Sequence, residues 1–145
     1  MTVPARKPPG APVPSITRRI AAATAFALGL AVWTWKLLVP HPVPEPLLDA
    51  LGFWSWLPLL AAKTLHFAGY AMLTALAQYA AGVRYRPLIA AVMVAHGVGT
   101  EVGQCYIPNR TGKVRDVVID TAGVAAGTLL LRRGSRRADA PPDPG

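Results

Sequence analysis

The sequence predicts an all-α integral membrane protein: a four-helix bundle with disordered termini, both of them cytoplasmic. Three observations carry that expectation. Apolar residues make up 52% of the 145-residue chain and charged residues only 15%, with a mean hydropathy of +0.35, a balance foreign to a soluble domain of this length. Apolar runs recur along the chain, separated by turns rich in Pro, Gly or charge. Most Lys and Arg flank those runs, as membrane topology requires of them. The formal charge of +8 would suggest nucleic acid in a soluble protein, but here topology accounts for it and no nucleic-acid partner is expected. The lone Cys105 excludes an internal disulfide and any multi-Cys metal motif, and reads as a small buried hydrophobe.

Residues 1–17 form a basic, Pro-rich tail with too little apolar surface to offset its ordering entropy. Residues 18–133 are the membrane domain and 134–145 a second disordered tail. After Arg18 and Arg19, the run Ile20 to Val39 is long enough to cross a hydrocarbon core of about 30 Å. It ends in Trp33, Trp35 and Lys36 with no small-residue cleavage site, which argues against a signal peptide. The segment from Pro40 to Trp56 has Glu45 and Asp49 but no Lys or Arg, so it is the outer loop. A short interfacial helix is expected there at Leu48 to Phe53. The second span runs from Leu57 to Ala81 and ends at Arg84 and Arg86. Pro87 suits the first turn of a third span that reaches about Tyr106. A fourth, short span runs from Asp116 to Leu131.

Four spans put both termini on one side, in a multi-pass protein of the inner (cytoplasmic) membrane. Arg6, Lys7, Arg18, Arg19, Arg84, Arg86, Arg132, Arg133, Arg136 and Arg137 then lie inside, leaving Arg110, Lys113 and Arg115 outside. Ionisable groups at a span boundary are costly unless paired or used, so the stretch Glu101 to Asp120 and its flanks are the expected functional region. Lys63, His66 and Tyr70 share one face of the second helix, at i, i+3 and i+7. Gly97, Glu101 and Gln104 share a face of the third. Asp116, Asp120, Gly123 and Gly127 run down the fourth, and the two glycines form a small-xxx-small pair that admits a close neighbour. Three polar stripes should therefore meet at the outer end.

These residues resemble the VanZ-like family of small bacterial membrane proteins, named after an accessory protein of glycopeptide (teicoplanin) resistance. Family members carry Asp-Lys-x-x-His-Phe-x-x-Tyr, then Glu-x-x-Gln, then Pro-x-Arg, then Asp-x-x-x-Asn or Asp with a Gly three residues on. Here these read Lys63, His66, Phe67 and Tyr70; Glu101 and Gln104; Pro108 and Arg110; Asp116, Asp120 and Gly123. Ala62 stands where the family usually has an acid, so Lys63 must find another partner. The resemblance implies a several-helix membrane fold and a link to the cell envelope, with no agreed reaction.

Three readings of the polar set follow. It is a structural network, with Lys63 paired to Glu101 or Asp120 and Arg110 to Asp116. Or it is an outward-facing pocket for an anionic membrane lipid or lipid-linked envelope precursor, lined by Lys63, His66, Tyr70, Glu101, Gln104, Arg110, Asp116 and Asp120. Or it is catalytic, with Glu101 and Asp120 as acid and base, or with His66, Glu101, Asp116 and Asp120 around a divalent ion. No H-E-x-x-H, G-x-S-x-G or P-loop is present, and no cofactor or resident metal is expected. His96, mid-span, reads as a core histidine.

Overall fold

The computed structural model describes residues 14–40, 57–108 and 110–138. The expected interfacial helix at 48–53, Asn109, most of the N-terminal tail and residues 139–145 lie outside them. Four α-helices make up the described chain: α1 (Ile16–Leu38), α2 (Leu57–Ala81), α3 (Arg86–Gln104) and α4 (Val114–Ala138), with a single 3-10 turn, Val83–Tyr85, between α2 and α3.

Each boundary has a local cause. The Ser15 hydroxyl accepts from the Arg18 backbone N–H and starts α1. Gly82, at φ +94°, ends α2 in a backbone region that side chains disfavour. Pro87 sits in the first turn of α3, where its missing N–H leaves no bond unmade. α4 continues through Arg132, Arg133, Arg136 and Arg137 to Ala138, past the boundary expected at 133. Arg is a good helix former, and a cation in the last turns complements the helix dipole.

α2 is the central helix, touching the other three and α4 most extensively. The glycines of α4 explain why. A Cβ on Gly123 would stand 2.4 Å from the Phe67 carbonyl oxygen, and one on Gly127 would stand 2.3 Å from that of Ala71. The two backbones thus pack directly on each other, as the small-xxx-small spacing predicts. Leu37, Tyr70, Leu73, Met93 and Val124 form the core, with Phe26, Leu30, Trp33, Ile89 and Val94 against it. Outward, every helix presents apolar side chains, among them Leu28, Leu65, Val92 and Leu130. α1 is the one helix, among the described residues, long and apolar enough throughout to cross a membrane on length and composition. The other three carry the inward polar residues that dilute their apolar character.

Two arginines bolt the helix ends together. At one end Arg19 donates through Nε to the Ala80 carbonyl at 2.8 Å and through Nη2 to that of Ala81 at 3.1 Å, satisfying the last carbonyls of α2. Arg110 does the same for α1 at the other end.

Gly127→Ala should therefore destabilise the purified protein by about 1–3 kcal/mol through overpacking. Gly99→Ala, where an added Cβ meets nothing within 4 Å, should stabilise it by up to about 1 kcal/mol. Thermal unfolding in detergent checks both.

Candidate functional site

The N-terminal ends of α2 and α4 and the C-terminal ends of α1 and α3 come together at one end of the bundle, and there the three polar stripes meet. Asp116 and Asp120, one turn apart on α4, are both buried. Lys63 Nζ donates to Asp116 Oδ1 and forms a salt bridge with it. One turn further, His66 Nδ1 lies 2.9 Å from Asp120 Oδ1. The i, i+3 spacing on α2 and the i, i+4 spacing on α4 thus make two polar rungs between the same two helices.

Glu101 comes in from the last turn of α3 and is 4% exposed. Its Oε2 accepts from the Lys113 backbone N–H at 2.7 Å. Gly112 makes that bond possible, because a Cβ there would stand 1.9 Å from the Glu101 carbonyl oxygen. The loop therefore folds directly over the end of α3. The Cys105 thiol also donates to that carbonyl, at 3.5 Å. Gln104 is buried beside this turn, its Nε2 without a hydrogen-bond partner among the described residues. Glu101 Oε1 and Asp120 Oδ2 are likewise buried without a partner there.

A second network lies deeper. Tyr70, fully buried, has its hydroxyl 3.0 Å from His96 Nδ1 and 3.3 Å from Thr100 Oγ1. His96 Nε2 is 2.9 Å from Thr34 Oγ1. The Thr34 hydroxyl reaches the Leu30 carbonyl at 2.7 Å, and that of Thr100 reaches Gly97 at 2.9 Å. A hydroxyl has one hydrogen to give. The order that keeps the shortest contacts has Thr34 and Thr100 donating to their own helices, His96 Nε2–H donating to Thr34, and Tyr70 donating to His96 Nδ1. His96 is thus a packed histidine, as expected, but one that joins α1, α2 and α3 through hydrogen bonds. Trp33 stands edge-on to both His66 and Tyr70, at 6.0 and 6.4 Å between ring centroids.

Arg110 takes a different place from either expected one. Its Nε donates to the Val39 carbonyl at 3.0 Å and its Nη2 to that of Lys36 at 3.3 Å, so it caps α1 while Asp116 goes to Lys63. Burial lowers the Arg110 pKa from its ordinary value and the nearby Glu101 opposes that shift, and the guanidinium stays charged. An apolar cavity of about 430 Å³ lies elsewhere, lined by Ala23, Phe26, Ala77, Leu88, Ile89 and Met93 among others. None of the polar cluster lines it.

The family model VanZ/LLP1 matches residues 16–134, which takes in all of these side chains. The chain belongs to the VanZ/LLP1 family. No curated protein and no solved structure matches it. The VanZ family is membrane-associated, in keeping with the length and apolarity of α1. The family motif residues Lys63, His66, Tyr70, Glu101, Gln104, Asp116 and Asp120 sit at one end of the bundle, and Arg110 closes that end from the loop. Thr34, Thr100 and Gly112 are the participants that sequence reasoning left out, and His96 the one it read as packing without its hydrogen bonds. His96 and Thr100 had a signal, since they are spaced i, i+4 on α3 beside the Gly97–Glu101 stripe. Gly112 had none, because a loop glycine acquires meaning only from what it passes over.

The Lys63–Asp116 pair predicts a coupling energy of about 1–3 kcal/mol in a double-mutant cycle with Lys63→Met and Asp116→Leu, read from thermal or denaturant unfolding. Tyr70→Phe, which removes the donor to His96, should cost about 1 kcal/mol in the same assay.

Proposed function

We propose that the chain is a four-span protein of the cytoplasmic membrane, both termini inside, whose polar end faces outward and binds an anionic lipid or lipid-linked envelope precursor. The observation that carries this reading is the layering of that end. Lys113 and Arg115 are exposed, above buried carboxylates that still have acceptor capacity. A lipid-linked saccharide offers the complement, with phosphate for the cations and hydroxyls for the carboxylates. Changed susceptibility to glycopeptides is one expected consequence of holding or masking such a molecule.

Several features support the membrane placement. Apolar side chains cover the outside of all four helices, an arrangement that lipid tolerates and water does not. α1, with 23 residues, is about 34 Å long at about 1.5 Å per residue, enough for a core of about 30 Å. Trp35 and Tyr106 are exposed at the polar end and Tyr85 at the other, where headgroups would lie. Arg18, Arg19, Arg84, Arg86 and Arg132 cluster at the opposite end, the one assigned to the cytoplasm. A purely structural role for the network is the second reading. It is favoured by Arg110, which holds α1 in place through backbone carbonyls.

Cys105, free and exposed at the polar end rather than buried as its sequence suggests, tests the orientation. A membrane-impermeant maleimide should label it in intact cells; labelling only after lysis would invert the topology. Native mass spectrometry of the purified chain then tests binding. Wild type should retain a phosphate-bearing envelope lipid, and Lys113→Ala with Arg115→Ala should lose it at unchanged thermal stability. Loss of retention only in step with loss of stability would favour the structural reading.

A further inference from the structure

We infer that His66, Glu101 and Asp120 form a binding site for one divalent transition-metal cation. The three residues come from three different helices, yet one ligand atom from each lies within 4.8 Å of the others. Proximity of acids alone would not make a site. What does is that two carboxylates buried to this degree, Glu101 at 4% and Asp120 at 1% exposure, each keep one oxygen with no hydrogen-bond partner among the described residues. Buried polar atoms in native proteins are almost always satisfied, and an orphaned pair in one place calls for an unseen partner. While both carboxyls are ionised the orphans are acceptors, and a cation or a donor is what completes them.

The neighbouring cations are engaged elsewhere. Lys63 binds Asp116, and Arg110 donates to the carbonyls of Lys36 and Val39. His66 Nδ1 is hydrogen-bonded to Asp120 Oδ1, with the Tyr70 hydroxyl nearby, and among the described residues the Lys113 backbone N–H is the donor on Glu101 Oε2. As metal ligands, the two carboxylates would bring two negative charges, which a divalent ion cancels.

The geometry suits such an ion. Two ligands on bonds of about 2.1 Å at a right angle stand about 3 Å apart, and His66 Nδ1 and Asp120 Oδ1 stand 2.9 Å apart. Glu101 offers its unpartnered Oε1 as the third ligand. Its carboxylate is anchored by the Lys113 N–H, the kind of outer bond that orients metal ligands. Gly97 leaves room at the site, since a Cβ there would come 3.3 Å from Asp120 Oδ2. One imidazole nitrogen with two carboxylate oxygens suits Zn²⁺ or Mn²⁺ better than Ca²⁺, which takes oxygen, or Cu⁺, which takes sulfur. Three protein ligands leave one or more coordination positions open. The site does not require the lipid reading, although both use the unpartnered oxygens of Glu101 and Asp120.

The test uses the full-length chain, purified without a histidine tag and stripped with chelator. Zn²⁺ alone and Mn²⁺ alone are titrated calorimetrically, with bound metal counted by mass spectrometry. One equivalent of at least one ion should bind saturably, and Asp120→Asn or Glu101→Gln should weaken it by about tenfold or more while circular dichroism shows the helices intact. Metal-edge X-ray absorption of wild type should give a nitrogen and oxygen shell with imidazole scattering, unchanged in Cys105→Ser; this decides the matter even if the acid variants fail to fold. Absence of saturable binding of either ion, a sulfur shell, or full affinity in a folded Asp120→Asn would overturn the site.

Discussion

Asp116 and Asp120 lie one turn apart on a helix that packs backbone to backbone against its neighbour, and the whole polar end is arranged to meet them. The close approach leaves no water layer to solvate a carboxylate at that interface, so each must be matched from α2. Lys63 matches the first and His66 the second. Gly123 and Gly127 are what bring the helices near enough for those contacts. Packing and charge pairing are therefore one constraint seen from two sides: without the glycines the rungs would be too long, and without the rungs the acids would oppose the packing.

The arginines extend the same logic to the helix ends. A helix leaves its last carbonyls without intrahelical donors, and in an apolar setting water does not supply them. Arg19 closes α2 and Arg110 closes α1, at opposite ends of the bundle. Arg110 is the residue whose role changes most between sequence and structure. Its position in the Pro-x-Arg motif suggests a ligand contact or a partner for Asp116, yet the fork of its guanidinium meets backbone. The Tyr70–His96–Thr34 chain does comparable work inside the bundle, tying α2 to α3 and α1 by hydrogen bonds.

The balance of donors and acceptors is uneven across this end. Exposed cations sit at the rim in Lys113 and Arg115, while the buried interior keeps unpartnered acceptors at Glu101 and Asp120 beside the unpartnered Gln104 Nε2 donor. An end that was structural throughout would be expected to close its own books. This asymmetry underlies both the lipid reading and the metal site, which share the unpartnered oxygens of Glu101 and Asp120.

The helices themselves were legible in the sequence, because apolar run length and the punctuation by Arg, Pro and Gly are local properties. α2 falls where expected, α3 agrees to within two residues, α1 starts about a turn earlier and α4 runs about two turns further. The stripe Lys63, His66, Tyr70, the stripe Glu101, Gln104 and the pair Asp116, Asp120 were legible too, since helical periodicity decides which residues share a face before any tertiary contact forms. Which stripe residue meets which was decided only by the fold. The sequence pointed Lys63 to Glu101 or Asp120, but the parallel register of α2 and α4, set by Gly123 and Gly127, gives it Asp116 instead. The bond from the Lys113 backbone to Glu101 and the capping of α1 by Arg110 depend on the path of a loop, and periodicity carries no information about a loop.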